Sequence, residues 1–260
     1  KPVCSSEPEE KEMSRLLSSY DKKVQVGFQY MFTPSVREAL ILWQSGVFGK
    51  PVHFDVQYYH GDYLQQSYRD QRKNRLTPAP GGGAMADLGC HGLSLLTAFL
   101  GNGMKITGAM QSGSFEGVPQ ESDLFSSISL LEPNTLAVGH LSASRISPGS
   151  GDLIFFEIYA EKGTLRYCSK NPDYFEYYFE KEGKWIRHPV GSNYPSLTSF
   201  PSRHVPPGWL RSMVHAHYLF LGGNDPGTFI PDMAHGLEVQ RLVRETALHL
   251  DVFRKNYYHE

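Results

Sequence analysis

The chain has 260 residues, room for one large domain or two small ones, and its 40% hydrophobic and 20% charged content is that of an ordinary globular protein. A net charge of −2 with no basic block argues against nucleic acid as a partner, and no apolar run reaches membrane-spanning length. The three cysteines, Cys4, Cys90 and Cys168, are odd in number and lack CxxC spacing. That argues against a disulfide framework and a zinc ribbon, assigns no residue to a metal, and points to a reducing compartment, the cytoplasm.

In chain order, residues 1–4 read as the end of a strand. Ser6 followed by Glu9 is a capping-box pattern with Pro8 in the first turn, and Met13, Leu16, Leu17 and Tyr20 mark the buried stripe of a helix over residues 7–20. Residues 24–28 are a short apolar strand candidate. Strand end, helix and strand make one βαβ-like unit, too small to be a domain, which reads as the last piece of a doubly wound α/β sheet. Thr33-Pro34 opens a second helix with Val36, Ala39, Leu40 and Trp43 on its apolar face and Gly46 as its stop. From Val52 the period changes to two: Val52, Phe54, Val56 and Tyr58 alternate with polar neighbours, as in a half-buried strand. Residues 61–80 are expected to form a long polar loop whose cations, apart from Arg75, are most simply a solvated surface.

The stretch at residues 81–96 reads GGGAMADLGCHGLSLL. After its three glycines the apolar residues Met85, Leu88, Leu95, Leu96, Phe99 and Leu100 recur at helical spacing, and Asp87 and His91 stand four apart. On a helix the two would share a face about 5–6 Å apart at Cβ. A carboxylate there would raise the imidazole's pKa and orient it for proton transfer near neutral pH, although the same spacing also serves structural hydrogen bonds. Gly81, Gly83 and Ala86 imitate a dinucleotide fingerprint, but residues 74–80 cannot be the buried strand that motif requires, and Asp87 would put negative charge where a pyrophosphate should sit. The glycines instead allow a close backbone approach or set the helix entry.

Strand candidates follow near residues 105–115, 123–131, 135–145, 153–160, 164–168, 174–180 and 184–188, with hairpin turns at Glu132-Pro133-Asn134 and Glu161-Lys162-Gly163. Short turns between consecutive strands imply an antiparallel sheet. Residues 189–206 read as loop, 209–221 as a helix ended by Gly222-Gly223, and 233–253 as a last helix with Val239, Leu242, Val243, Ala247 and Leu250 inward. His215 and His217, two apart on a helix, point away from each other and are poor co-ligands for zinc. His235 is expected at the surface or in a helix cap.

The order of parts resembles the Gfo/Idh/MocA oxidoreductases, relatives of glucose–fructose oxidoreductase and inositol dehydrogenase. Lys1-Pro2 resembles the end of that family's Glu-Lys-Pro signature. Residues 81–91 match its GGG-x-x-x-D-x-G-x-H signature at Gly81, Gly82, Gly83, Asp87, Gly89 and His91. The resemblance implies an α+β fold: a large open, mostly antiparallel sheet with helices on one face, preceded by a remnant of a Rossmann domain. Residues 1–32 would be that remnant and 33–260 the substrate and oligomerisation domain. It further implies an NAD(P)-dependent dehydrogenase moving hydride between nicotinamide and a secondary hydroxyl or carbonyl of a sugar, cyclitol or similar polyol.

The catalytic set implied is Lys1, Asp87 and His91, with Lys1, Pro2 and Arg75 toward the cofactor, NAD or NADP, itself held mainly by an N-terminal domain outside this chain. On this expectation the chain is the C-terminal portion of the enzyme and is inactive alone. It would assemble as a homodimer or homotetramer through the sheet, with no nucleic-acid or membrane partner. Ser94 stands where many members carry an acid, Asn74 where many carry Trp, and Tyr30 and Met31 where basic residues are usual; these departures bear on substrate identity. A non-catalytic assembly or ligand-binding domain, or an NAD-using glycosidase of related fold, are the other readings.

Overall fold

The structure is a computed structural model that describes residues 1–4, 6–76, 83–113, 115–190 and 208–258. Helix α1, Glu7–Leu17, begins at the predicted cap, where the Ser6 hydroxyl accepts from the Glu9 N–H. It lies on the last helix, α6, Met233–Tyr257, through a Glu10–Arg244 ion pair of 3.1 Å. The strands expected at residues 1–4 and 24–28 do not form. Neither is paired with a strand among the described residues: the chain bends at Val3, the Phe28 N–H turns back to the Val26 carbonyl, Cys4 donates its N–H to the Gln240 side chain and Val26 donates to the Pro231 carbonyl. A strand is defined by its partner, and an apolar run cannot supply one.

A tight turn at Gln29–Phe32 leads into α2, Pro34–Gln44, whose Val36, Ala39 and Leu40 are buried as the spacing predicts. β1, Pro51–Tyr59, buries Phe54, Val56 and Tyr58, whereas Val52 at its frayed start is exposed. Residues 61–76 are not an open loop. Short helical turns at Asp62–Leu64 and Lys73–Arg75 flank α3, Gln66–Gln71, and Tyr63 and Leu76 anchor them in a small satellite core with Val118 and Leu124. Residues 77–80 of that expectation lie outside the described residues.

The remaining strands are β2 Lys105–Gln111, β3 Phe125–Leu131, β4 Val138–Ser144, β5 Leu153–Ala160, β6 Gly163–Cys168, β7 Tyr174–Phe179 and β8 Lys184–Pro189. They form one eight-stranded sheet in the order β2-β3-β4-β1-β5-β6-β7-β8. Every pairing is antiparallel except β1 with β4. Because these two central strands run the same way, their C-terminal ends emerge together. His60 follows one and Arg145 the other, and the His60 N–H continues the ladder to the Ser144 carbonyl. The predicted turns hold: Glu132 caps the β3–β4 hairpin by accepting from the backbone of Asn134 and Thr135, and Glu161-Lys162 links β5 to β6.

Among the described residues, α2, α6 and the central helix α4, Cys90–Leu100, pack on one face of the sheet, where Leu141, Ile154, Phe156 and Ile158 are buried. Helix α5, Trp209–Phe220, packs on the Gln29–Phe32 turn, where Thr33 and Ser212 share a hydroxyl hydrogen bond. On α6, Val239, Leu242, Val243 and Leu250 are buried as expected, but Ala247 is exposed and Thr246 is buried in its place.

Candidate active site

The helix carrying the central motif starts with a π-helical turn at Met85–Gly89, not an α-helical one, and becomes α-helical at Cys90. Its entry is capped from outside: the Met85 N–H donates to the Asp123 carboxylate at 3.0 Å and the Ala84 N–H to the Asp123 carbonyl. Gly83 is what lets Asp123 in, since a Cβ there would overlap its carboxylate. The predicted close approach is therefore real at Gly83; Gly81 and Gly82 lie outside the described residues. One turn on, a Cβ at Gly92 would press on Leu141 and Val56, so a bare backbone lets α4 sit directly on β1 and β4.

The π turn changes the phase between Asp87 and His91, and the two side chains do not pair. Asp87 is drawn into a cationic cluster instead. Its carboxylate lies 2.8 Å from Arg145 Nη2, 3.2 Å from Arg75 Nη1 and 3.9 Å from Lys1 Nζ. Its backbone carbonyl accepts from Lys1 Nζ at 3.0 Å. Burial pushes the Asp87 carboxyl up, but Arg145, Lys1 and Arg75 outweigh it and hold it below the usual range.

His91 is buried against the edges of Phe28 and Tyr30 and beside Tyr58, at ring separations of 5.2–6.0 Å. Tyr30 and Tyr58 join hydroxyls at 3.0 Å, and burial pushes the Tyr30 phenol up to about 12. The His91 Nδ1 has no hydrogen-bond partner among the described residues. Its pKa is not raised, as the spacing with Asp87 suggested, but well below normal: burial strips the imidazolium of water, and Lys1 repels it. His91 is thus a buried imidazole that disfavours its charged form, with an unused polar atom, beside two phenols and in the field of the Lys1 ammonium.

Of the residues singled out from sequence, the fold brings Lys1, Arg75, Asp87 and His91 into one neighbourhood; Pro2 follows Lys1 in the same segment. Arg75 is half-exposed and turned onto Asp87, unlike Arg69 and Arg72, which serve local loop carbonyls and the Tyr68 ring. Sequence reasoning missed three contributors. Arg145 is fully buried with its guanidinium 4.7 Å from the Tyr63 ring; a lone cation ending a run of small and apolar residues was its only signal. Asp123 had no signal. Tyr30 was noted only as a departure from a basic residue.

The other histidines separate as follows. His215 and His217 diverge as predicted: the first is buried against Asp225 at 2.9 Å, the second is exposed and bonded to the Met213 carbonyl. His235 is not a surface residue. Its N–H meets the Asp232 cap, but its ring is buried, bonded to Ser94 at 2.8 Å and packed on Phe28 and Phe229, which drives its pKa down to about 4. No cluster of three or more metal-binding side chains occurs among the described residues.

The model of the GFO/IDH/MocA C-terminal domain matches residues 36–166, about half the chain. The chain belongs to the GFO/IDH/MocA family. No curated protein matches it. Among solved structures, levoglucosan dehydrogenase in complex with NADH and levoglucosan superposes with a TM-score of 0.79 at 19% identity, covering 97% of this chain and 70% of that one. An inositol dehydrogenase homolog from Azotobacter vinelandii, complexed with NAD+, gives 0.79 at 17% over 97% and 69%. An NAD-binding oxidoreductase from Klebsiella pneumoniae gives 0.76 at 23% over 97% and 70%. These likenesses establish the shared fold: the open mixed sheet with helices is the family's C-terminal domain. Family membership supports an oxidoreductase.

Proposed function

We propose that this GFO/IDH/MocA chain serves an NAD(P)-dependent dehydrogenase acting on a secondary hydroxyl or carbonyl of a sugar, cyclitol or related polyol, with Lys1, Asp87 and His91 as its catalytic groups. The observation that carries this reading is the buried imidazole with an unpartnered nitrogen, in the field of an ammonium that donates to the Asp87 carbonyl and lies 3.9 Å from the Asp87 carboxylate. Oxidation of a secondary alcohol removes a hydride from carbon and a proton from oxygen. His91, neutral at working pH, takes the proton, and the adjacent Lys1 discourages the imidazolium from persisting. The Lys1 ammonium stabilises the developing alkoxide, and Asp87 holds that ammonium in place. When bound, the nicotinamide supplies the hydride acceptor. Lys1, Pro2 and Arg75 are the residues proposed to meet it.

Residues 1–32 are read as the end of a cofactor domain and 33–260 as the substrate and assembly domain, working in the cytoplasm, where the three free thiols stay reduced. No helix among the described residues is long and apolar enough to cross a membrane. No strand followed by a glycine-rich phosphate turn and helix occurs among the described residues either, so these 260 residues alone are expected not to bind NADH. Calorimetry showing micromolar affinity would overturn that expectation. A homodimer or homotetramer is proposed through the sheet face opposite the helices.

The deciding experiment is His91→Ala. In the enzyme assayed with NAD+ or NADP+ and a polyol panel, kcat should fall by about 10²–10⁴ while nicotinamide affinity holds. Near-normal turnover per folded molecule would remove His91 from the mechanism.

A further inference from the structure

We infer that Arg145 is the positioning residue of this site: it locks the Asp87 carboxylate from the buried side, and through Asp87 it places the Lys1 ammonium. The inference rests on the reading of Lys1, Asp87 and His91 as the working groups.

Arg145 has no exposed side-chain surface. A guanidinium at that depth is costly to bury unless it is paired and hydrogen-bonded, and an apolar side chain of similar volume would serve mere packing as well or better. Two of its nitrogens reach targets at the site. One nitrogen donates to Asp87 Oδ2 at 2.8 Å and another to the Arg75 carbonyl at 2.9 Å, while the plane lies over Tyr63. Planar, two-pronged donation fixes direction as well as charge, which a lysine ammonium cannot do.

The three cations around Asp87 are not equivalent. Side-chain exposure is 0% at Arg145, 21% at Lys1 and 51% at Arg75. Solvent screens the outer two, so the dry one sets where the carboxylate sits. With Oδ2 held by Arg145 and Oδ1 taking Arg75 Nη1 at 3.3 Å, the Asp87 carbonyl and Oδ1 face Lys1 Nζ at 3.0 and 3.9 Å. The second prong ties down the segment that carries Arg75, so one residue fixes two elements against the π turn. The parallel pairing of β1 and β4 is what delivers Arg145 there, directly after β4 and opposite Tyr63, whose N–H bonds its carbonyl.

The test uses Arg145→Met and Arg145→Lys in the enzyme, with two readouts. The first is the titration of Asp87, followed by carbon NMR of labelled aspartate carboxyls and assigned with Asp87→Asn. Lys1, Arg75 and Arg145 are the cations that face Asp87, with Tyr58, His60, Tyr63 and Cys90 as titratable neighbours, and of these only Arg145 is altered. Arg145→Met should raise the Asp87 pKa by about 1–3 units, the usual effect of losing an adjacent cation. Arg145→Lys, which keeps the charge and is the variant to read should Met fail to fold, should raise it less.

The second readout is steady-state kinetics. Both variants should lose about 10–100-fold in kcat with nicotinamide affinity unchanged, since a displacement of about 1 Å at the reacting groups is enough for that. An unmoved Asp87 titration, or full kcat in folded Arg145→Lys and Arg145→Met, would overturn the inference. A shifted Asp87 in a protein that turns over no polyol would uphold the lock and refute the dehydrogenase reading instead.

Discussion

At the scale of single residues, the site is governed by desolvation more than by the carboxylate–imidazole pairing its spacing suggests. Asp87 has cations for partners and the His91 Nδ1 has no hydrogen-bond partner among the described residues, and their pKa values are both low for opposite reasons: attraction to Arg145, Lys1 and Arg75 in one case, lost hydration in the other. The small residues matter as much. Gly83→Ala would drive a Cβ into the Asp123 carboxylate that caps the π turn. Overpacking of this kind costs about 1–3 kcal/mol, so the urea midpoint should fall and activity should fall with it as the turn shifts. An unchanged midpoint would show that Asp123 can move aside and that the cap is dispensable.

Between elements, the Ser94–His235 bond joins α4, which carries His91, to α6. Burial drives the His235 pKa from 6.5 to about 4, so the unfolded chain binds the proton that the folded one refuses. Its contribution is complete above about pH 6.5 and is lost as the pH falls toward 4; the full span is worth up to about 3 kcal/mol. His60, His91 and His215 are lowered in the same direction and add to it. Urea unfolding between pH 7 and pH 5 should therefore show stability falling with acid, and His235→Gln should flatten that slope. A slope identical in the variant would mean that the His235 ring is not the group protonated on unfolding. Element-scale effects also account for the failed strands at residues 1–4 and 24–28: their backbone N–H groups go to α6, to Pro231 and, at Phe28, back to Val26.

For the whole molecule, the sheet presents helices on one face and, on the other, half-exposed aromatics including Tyr59, Phe155, Tyr159 and Tyr178. The same face carries Asp55, Gln57, Glu157 and Arg166 between them, and a mixed aromatic and polar sheet face of this kind suits an interface between copies. Phe155→Glu, at the centre of β5 on that face, should split the proposed oligomer into folded monomers in sedimentation velocity. Wild-type protein that sediments strictly as a monomer at high concentration would refute assembly through the sheet.

The sequence alone determined what depends on neighbours along the chain: the capped α1, the apolar face of α2, the alternation of β1, the hairpins at Glu132 and Glu161, and the signature that sets Asp87 and His91 on one segment. Periodicity and turn chemistry are local, and they survive into the fold because burial rewards the same pattern. Tertiary structure alone decided what depends on distance. It paired β1 with β4 in parallel, so that Arg145 arrives beside Asp87 from 58 residues away. It made the motif's first turn a π turn and capped its entry with Asp123, two residues before β3. It buried His235 against Ser94 across 141 residues. A buried charge or imidazole finds its partner only when the core closes, because its energy depends on the water it loses and on the groups that replace that water. Neither is written in the residues on either side of it.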